Sequence, residues 1–430
     1  MTNLKLITLL IGCMVHTSCL SQNHNFSKIE KEFLKHYPTL NIPGLQISYV
    51  STLNRIGDKE NIKKQERFFE NLKENLSKID TSSLIGSQKI NFQILDYETM
   101  LHLERIALEK KWTPVALDDS KSIIALPDGK LWYVYLLKRW VDKDVSPDDM
   151  FQFGLKEIEK VKSNMKRLQK KSGLSEMVFE DHLNKDQFFL DVPEDVQREF
   201  EKIKKIVRIK AASIFPYIDK IPEIKIGRGT NASLSQVPAY YSNGTFYYNF
   251  FDKPFNKRQL GWFYAHEAIP GHHYQFMVNN SINRTEIQNL FWYPGFAEGW
   301  GAYVEYLGDV LGVYETIYDE YGKWEWDLIR SVRVSLDVAI NYYGWSDKKA
   351  LDFWKKYIKN QDDIGVREIA RMKRWPAQVI SYKYGAKMFL KLLNKAKKNP
   401  DFEYKRFHKK ILEHGDVPLT LIESHYTKLK

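Results

Sequence analysis

Residues 262–275 read WFYAHEAIPGHHYQ, an aromatic, helix-like run that a proline and a glycine interrupt. A histidine and a glutamate, His266 and Glu267, stand before the interruption, and two further histidines follow directly after it. Residues 295–303, GFAEGWGAY, add a second glutamate among small residues. Two imidazoles and one carboxylate can bind zinc, and a further carboxylate can activate water. The two stretches therefore predict a metal site on helices.

The spacing of the histidines differs from the usual His-Glu-x-x-His pattern, in which two histidines four residues apart share one helix face. The fourth residue after His266 is Pro270, and the next histidines are His272 and His273. In a straight helix, six residues turn a side chain roughly 120° away, and seven residues add about 10.5 Å. Neither spacing lets two imidazoles reach one ion at about 2.0–2.1 Å.

Pro270 and Gly271 offer a way to close this gap. Proline removes the hydrogen bond to the carbonyl of His266, and glycine leaves the backbone free to turn. We hypothesise that the helix bulges or breaks at residues 269–271 and returns His272 beside His266. His272 is then the preferred second ligand, and His273 faces the substrate or supports the ligands.

These stretches resemble the bacterial family known as domain of unknown function 885. The likeness includes residues 330–333, RSVR, and residues 375–383, WPAQVISYK. It is tightest from about Pro238 to about Leu393 and extends more weakly back to about residue 60. Many members of the family are predicted lipoproteins, and the family resembles zinc peptidases of the gluzincin type.

The resemblance implies that His266, His272 and Glu298 bind Zn²⁺ and that Glu267 is the general base. Family members typically carry a histidine where this chain has Asn341. Asparagine can donate a hydrogen bond, but it can neither take up a proton nor carry a positive charge. If that histidine assists turnover in relatives, the activity or the pH optimum of this chain differs from theirs.

Three further side chains are candidates for contact with the substrate. Tyr382 is the first choice as hydrogen-bond donor to the oxyanion, with packing in the core as the alternative. Arg330 and Arg333 share a helix face, three residues apart. They either grip a substrate carboxylate or pair with acidic side chains such as Asp337.

Residues 239–250, AYYSNGTFYYNF, predict a β-hairpin, because an Asn-Gly turn separates two aromatic, β-favouring runs. An edge strand beside the metal helix can bind an extended peptide through backbone hydrogen bonds. Tyr248 is a candidate substrate contact on this hairpin. The alternative is that its tyrosines cover the core.

The N-terminus is typical of a bacterial lipoprotein signal. Lys5 precedes an apolar run over residues 6–15 that is too short to span a membrane. Small residues then lead to Cys19, the expected lipidation site. We therefore expect a lipid-anchored protein on the periplasmic side of the cell envelope. Since Cys13 and Cys19 are the two cysteines, the mature chain can form no internal disulfide.

The remaining chain predicts a mainly α fold: one large helical domain with a small sheet or hairpin beside a zincin-like active-site helix. The expected domains are a signal peptide over 1–18, a tether over 19–60 and a helical catalytic domain over 61–430. Strand signals lie near residues 121–125 and 223–250. Apolar spacing predicts helices at about 61–79, 88–111, 147–172, 191–214, 258–280, 296–311, 315–343, 347–358 and 377–397.

The net charge of +11 raises the question of nucleic-acid binding. The lysines are spread along helices between glutamates and apolar residues, and no nucleic-acid motif accompanies them. We expect no nucleic-acid partner, and a basic surface suits a protein tethered near anionic lipids.

The expected function is that of a zinc peptidase acting on small peptides. The main alternative is a metal- or peptide-binding lipoprotein without activity. A third, weaker reading is the hydrolysis of a non-peptide amide or ester.

Overall fold

Helices account for 68% of the described residues and strands for 4%, which confirms the mainly α class. The computed structural model describes residues 25–232, 237–250 and 254–427. Its α-helices, in chain order, are α1 (25–36), α2 (Tyr49–Leu53), α3 (Lys59–Ser77), α4 (Ser87–Glu109), α5 (Gly129–Trp140), α6 (Pro147–Lys171), α7 (Glu176–Leu183), α8 (Pro193–Ile214), α9 (Leu260–Glu267), α10 (His272–Ser281), α11 (Glu286–Asn289), α12 (Pro294–Val304), α13 (Gly308–Leu311), α14 (Ile317–Asn341), α15 (Asp347–Tyr357), α16 (Asp362–Arg374), α17 (Gln378–Ala396), α18 (Tyr404–Leu412) and α19 (Leu419–Thr427).

Short 3-10 turns connect several of these helices: Tyr37–Leu40, Ile123–Ala125, Asp186–Phe188, Ile218–Lys220, Lys257–Gln259 and Glu305–Leu307. The strands are β1 (Phe189–Leu190), β2 (Lys225–Arg228), β3 (Ala239–Ser242), β4 (Thr245–Tyr248) and β5 (Phe255–Asn256). No helix in the described part of the chain is long and apolar enough to cross a membrane.

Local sequence explains where the long helices begin. The side chain of Asp58 accepts the main-chain N–H three residues on, at 2.8 Å, and so caps α3. Ser146 caps α6, whose first position is Pro147. Thr316 and Asp319 form a reciprocal capping box at the start of α14. These caps satisfy main-chain donors that the first helical turn leaves free.

The chain divides into two units. One comprises the described residues up to Asp119 together with Arg284–Trp292 and contains α1–α4 and α11. In it, α3 packs against α4. The other comprises the described residues of Ser120–Asn283 and Tyr293–Lys430 and contains all remaining helices and both sheets. The predicted domain bounds stay a prediction, and residues 1–18 with Cys19 lie outside the described residues.

The core of the larger unit is organised by α14 and α17. Helix α14 packs along α6 and against α17, and α17 packs closely on α12. The crossing of α12 and α17 requires two glycines, because a Cβ added to Gly299 would lie 2.5 Å from the Cα of Gly385. This close approach brings Glu298, next to Gly299, towards Tyr382 on α17.

The predicted hairpin is present. β3 pairs antiparallel with β4, and β2 pairs parallel with β4, so that the strand order is β2-β4-β3. Asn243 and Gly244 have φ values of 46° and 77°, as the predicted two-residue turn needs. β3 therefore lies at an edge of this sheet, and β1 and β5 form a separate antiparallel pair.

The strand predicted near residues 121–125 is wrong. Ile123–Ala125 form a 3-10 turn, in which the hydroxyl of Ser122 accepts the N–H of Ile124. Two predicted helices are each interrupted: residues 258–280 contain α9 and α10, and residues 296–311 contain α12 and α13. The apolar spacing also missed α1, α2, α5, α7, α11, α16, α18 and α19.

Candidate metal centre

The break between α9 and α10 brings two histidines together, as predicted. Helix α9 ends at Glu267, α10 begins at His272, and the Ile269–Pro270 peptide bond is cis. A Cβ at Gly271 would lie 1.8 Å from the carbonyl oxygen of His266, so only glycine permits this turn. The rings of His266 and His272 lie 4.8 Å apart, centroid to centroid, and nearly perpendicular.

Glu298 on α12 completes a cluster with these two histidines. Its Oε2 lies 3.3 Å from Nε2 of His272. One ligand atom from each of the three residues lies within 4.8 Å of the others. Two atoms bound to one tetrahedral zinc at about 2.1 Å lie about 3.4 Å apart. The donor set of two imidazoles and a carboxylate therefore fits a zinc ion with side-chain shifts below about 1 Å.

His272 and Glu298 form an electrostatic pair. Burial alone would lower the pKa of His272, but the hydrogen bond and charge of Glu298, together with the charge of Glu267, raise it overall. Burial alone would raise the pKa of Glu298, but its contact with His272 and the nearby His266 lower it overall. His272 and Glu298 thus each stabilise the charged form of the other.

Glu267 stands beside the cluster without belonging to it. Its Oε1 lies 4.0 Å from Nε2 of His266, and the main-chain N–H of Tyr241 on β3 interacts with its carboxylate. Burial raises the pKa of Glu267, and the histidines offset this only in part. A carboxylate with a raised pKa is better suited to accept and return a proton near neutral pH.

The edge strand β3 passes this carboxylate. The N–H of Asn249 donates to the carbonyl of Pro238 across the hairpin at 2.9 Å. Since bonded and non-bonded pairs alternate in an antiparallel ladder, the main-chain groups of Ala239 and Tyr241 point away from β4. Backbone donors and acceptors are therefore directed to the side of β3 where Glu267 lies.

Glu305 supports His266 from behind, and the sequence reasoning missed it. Its Oε1 lies 2.7 Å from Nδ1 of His266, and Arg330 donates to its other oxygen. Glu305 is fully buried. Burial would raise its pKa, but the charge of Arg330 and the contact with His266 lower it overall. With Nδ1 donating to this carboxylate, Nε2 of His266 is left as the metal-binding atom.

Tyr382 lies beside the cluster, and its proposed role as a donor to the oxyanion stays a prediction. Its hydroxyl accepts a hydrogen bond from Nε2 of Gln378 at 3.1 Å and interacts with the carboxylate of Glu298. Its ring stacks on that of His266 at 6.1 Å between centroids. Burial and the charge of Glu298 raise its pKa. The phenol is therefore neutral and can donate a proton in a hydrogen bond.

The two predicted arginines have carboxylate partners. Arg330 pairs with Glu305, and Arg333 donates to Glu368 at 3.1 Å. Asp337, the acidic partner considered from the sequence, instead accepts the hydroxyl of Tyr133 at 2.8 Å and the N–H of Ala377. The sequence reasoning named neither Glu368 nor its second partner, Arg371. Both lie on α16, a helix that the apolar spacing did not reveal.

The structure does not bring His273 or Tyr248 into the cluster. The two ring nitrogens of His273 lie 3.2 Å from the hydroxyl of Tyr241 and 2.9 Å from the carbonyl of Pro222. Tyr248 donates to the carbonyl of Pro193 at 3.0 Å and is buried. Both side chains join elements of the fold, and their roles in substrate binding stay predictions.

Asn341, at the end of α14, also lies away from the cluster. Its Oδ1 accepts the hydroxyl of Ser122 at 2.9 Å, and its Nδ2 donates to the carbonyl of Met372 at 2.9 Å. It follows Arg330 by eleven residues, which is about 16 Å along the helix. In this chain the position serves as a buried polar anchor.

Comparison with known proteins agrees with these motifs. Residues 105–425 match the family described as "Bacterial protein of unknown function (DUF885)". The chain belongs to this family. The match contains every residue of the candidate metal centre. No curated protein matches the chain in sequence.

Two solved structures share the fold. One, from Colwellia psychrerythraea, is 22% identical, with a TM-score of 0.64 over 86% of this chain and 69% of the other. The second, from Shewanella oneidensis, is 16% identical, with a TM-score of 0.69 over 94% of this chain and 100% of the other. Each is described as a "putative lipoprotein", the second as one of unknown function.

Proposed function

We propose that this protein is a zinc-dependent hydrolase that cleaves short peptides, with chemistry of the gluzincin type. The observation that carries the proposal is the position of Glu267. It stands next to the His266, His272 and Glu298 cluster and faces it without being one of its three members. A site that only stores or binds a metal has no need of an additional carboxylate beside its ligands.

The chain supplies the groups that amide hydrolysis requires. His266, His272 and Glu298 would hold the ion. When bound, zinc acts as a Lewis acid that makes water more acidic and polarises a carbonyl group. Glu267 takes the proton of the attacking water and passes it to the leaving amine. Tyr382 donates its hydroxyl proton in a hydrogen bond to the carbonyl oxygen as negative charge develops there.

A peptide substrate is supported by the edge strand. The outward main-chain groups of β3 lie beside Glu267, where an extended chain can pair with them. The side chains of Tyr382, Glu298 and Glu267 are only partly buried. Glu298 and Glu267 keep 16% and 15% of their side-chain surface exposed. These two carboxylates are therefore partly accessible to solvent.

We also propose that Cys19 carries a lipid that anchors the protein in the cell envelope. The support is the signal pattern before Cys19 and the description of two structural relatives as lipoproteins. Mass spectrometry of the N-terminal peptide from the native membrane tests this. An acylated Cys19 is expected, and an intact residue 1–18 segment would contradict it.

The proposed hydrolase is tested with Glu267→Gln. The full chain is loaded with zinc and incubated with a mixture of short peptides, and the products are identified by mass spectrometry. We expect cleavage by the parent and a loss of turnover of about 10²–10⁴-fold in the variant, because the proton acceptor is gone. Zinc content should be unchanged, since Glu267 is not one of the three ligands. A parent that binds zinc but cleaves no peptide would favour the binding-protein alternative.

A further inference from the structure

Three arginines surround Tyr382, and they differ in how closely carboxylates pair with them. The guanidinium carbons of Arg330 and Arg333 lie 5.7 Å and 5.6 Å from the centre of its ring. The guanidinium of Arg371 interacts with its hydroxyl. Among the described residues, two carboxylates pair with these three cations: Glu305 and Glu368.

Glu368 is shared unequally between two of the arginines. It lies 3.1 Å from Arg333 but 3.9 Å from Arg371. Arg371 is also the exposed member of the group: 26% of its side-chain surface is accessible, against 2% for Arg333. Arg371 therefore has the longest ion pair of the three arginines and the most accessible side chain, and the charge of Glu298 also acts on it.

Arg371 is held in position by a neighbouring side chain, and part of its side-chain surface is accessible. Its Nη2 donates to Oε1 of Gln378 at 2.8 Å, and Gln378 in turn donates to Tyr382. Its Nε is a buried atom without a hydrogen-bond partner in the described part of the chain, as are those of Arg330 and Arg333, so Nε does not distinguish Arg371. A guanidinium fixed in this way can offer its remaining Nη donors to a carboxylate.

The distance to the metal cluster limits what this guanidinium can bind. The hydroxyl of Tyr382 neighbours both the carboxylate of Glu298 and Arg371. Two successive polar contacts span at most about 6 Å, and an extended peptide residue spans about 3.3–3.6 Å. There is room for about one residue between a carbonyl group bound at the metal cluster beside Tyr382 and an anion bound at Arg371.

We propose that Arg371 binds the C-terminal carboxylate of the substrate, so that the enzyme removes the last residue of short peptides. Gln378 and Tyr382 position this arginine. The inference rests on the proposed hydrolase and specifies its substrate: a peptide whose C-terminus is free. It assigns the carboxylate contact to Arg371 in place of Arg330 and Arg333, whose charges Glu305 and Glu368 already satisfy.

The test compares how fast the parent protein cleaves matched peptides. It therefore needs no variant. The peptides of the hydrolysis mixture are offered with a free C-terminal acid and with a C-terminal amide. We expect release of single C-terminal residues from the acids, and rates about 10–100-fold lower for the amides, as for the loss of a charged hydrogen bond. Equal cleavage of both forms would overturn the carboxylate site and leave the hydrolase standing. Cleavage of neither would overturn both.

Binding gives a second readout. In the Glu267→Gln background, calorimetry measures the affinity of a tripeptide acid and of its amide, chosen from the peptides cleaved. Arg371→Met should lower the affinity for the acid about 10–100-fold and leave the affinity for the amide unchanged. Arg374→Met, an exposed arginine of the same helix, is the matched control and should change neither. Equal weakening of acid and amide would contradict the proposal.

An amide peptide ending in glutamate separates a terminal carboxylate from an acidic side chain. If this peptide binds as tightly as the acid, and Arg371→Met abolishes the difference, the anion recognised is a side chain. That result would overturn the assignment to the C-terminus.

Discussion

Histidine occupies two opposite environments on the two sides of α12. On one side, His272 pairs with Glu298, next to His266 and Glu267. On the other side, His408 of α18 stacks on Phe215 at 4.0 Å between centroids. Residues 298 and 300 of α12 point in opposite directions because two residues turn a helix by about 200°. The same helix thus presents a carboxylate to one region and Trp300 to the other.

The two regions differ in what they do to a positive charge. The carboxylates around His272 raise its pKa, whereas burial among aromatic rings lowers the pKa of His408 to about 3. His408 is neutral and uses both nitrogens, towards the hydroxyl of Tyr303 and the carbonyl of Ile214, each at 2.8 Å. The carboxylates around His272 stabilise a positive charge, whereas the aromatic surroundings of His408 destabilise one. The residue type alone therefore does not mark a functional site.

The largest expected effect concerns the stability of the aromatic region at acid pH. The unfolded chain binds a proton at His408 near pH 6.5, whereas the folded chain does so only near pH 3. The unfolded state therefore holds more protons in this window, and stability is lost as the pH falls through it. The shift corresponds to about 5 kcal/mol across the window.

Melting temperatures measured from about pH 7 to about pH 4 check this prediction. His408→Phe should flatten the fall in melting temperature relative to the parent, although it lowers stability at neutral pH by removing two hydrogen bonds. His36→Gln, at an exposed histidine, controls for the loss of a histidine as such. If the melting temperature changed with pH equally in the parent and in His408→Phe, folding would not lower the pKa of His408.

A smaller effect is expected in the metal region, at the buried support of His266. Glu305→Gln keeps the shape of the side chain but removes the charge that holds the imidazole. We expect zinc affinity to fall about 10–100-fold, as for other partners behind metal-binding histidines. Competition with a chelator measures this affinity. Glu315→Gln, at an exposed glutamate before α14, is the control, and an equal affinity for both variants would remove Glu305 from the site.

Sequence reasoning reached the metal residues because the constraint on them is local. Pro270 cannot continue the hydrogen bonds of α9, and Gly271 alone fits against the carbonyl of His266. The return of His272 follows from these two neighbours. The Asn243-Gly244 turn was legible for the same reason, since both residues adopt positive φ.

The residues that sequence reasoning missed depend on tertiary packing. Glu305 reaches His266 from a 3-10 turn, and its partner Arg330 lies on α14. Arg371 lies on α16, which carries few buried residues and a glycine within it. The apolar pair Ile123-Ile124 has the composition of a strand, but the cap at Ser122 closes a 3-10 turn there. The spacing of apolar residues along the chain does not predict these contacts, because they join residues that are far apart in sequence.

The most direct test of the account is the zinc content of the parent chain beside His272→Ala and His273→Ala. These adjacent histidines differ in surroundings: His272 joins the cluster, and His273 faces Tyr241 and Pro222. After zinc loading and dialysis, elemental analysis should find about one zinc per chain in the parent and in His273→Ala, and little in His272→Ala. Absence of zinc from the parent, or equal retention by the two variants, would contradict the metal centre.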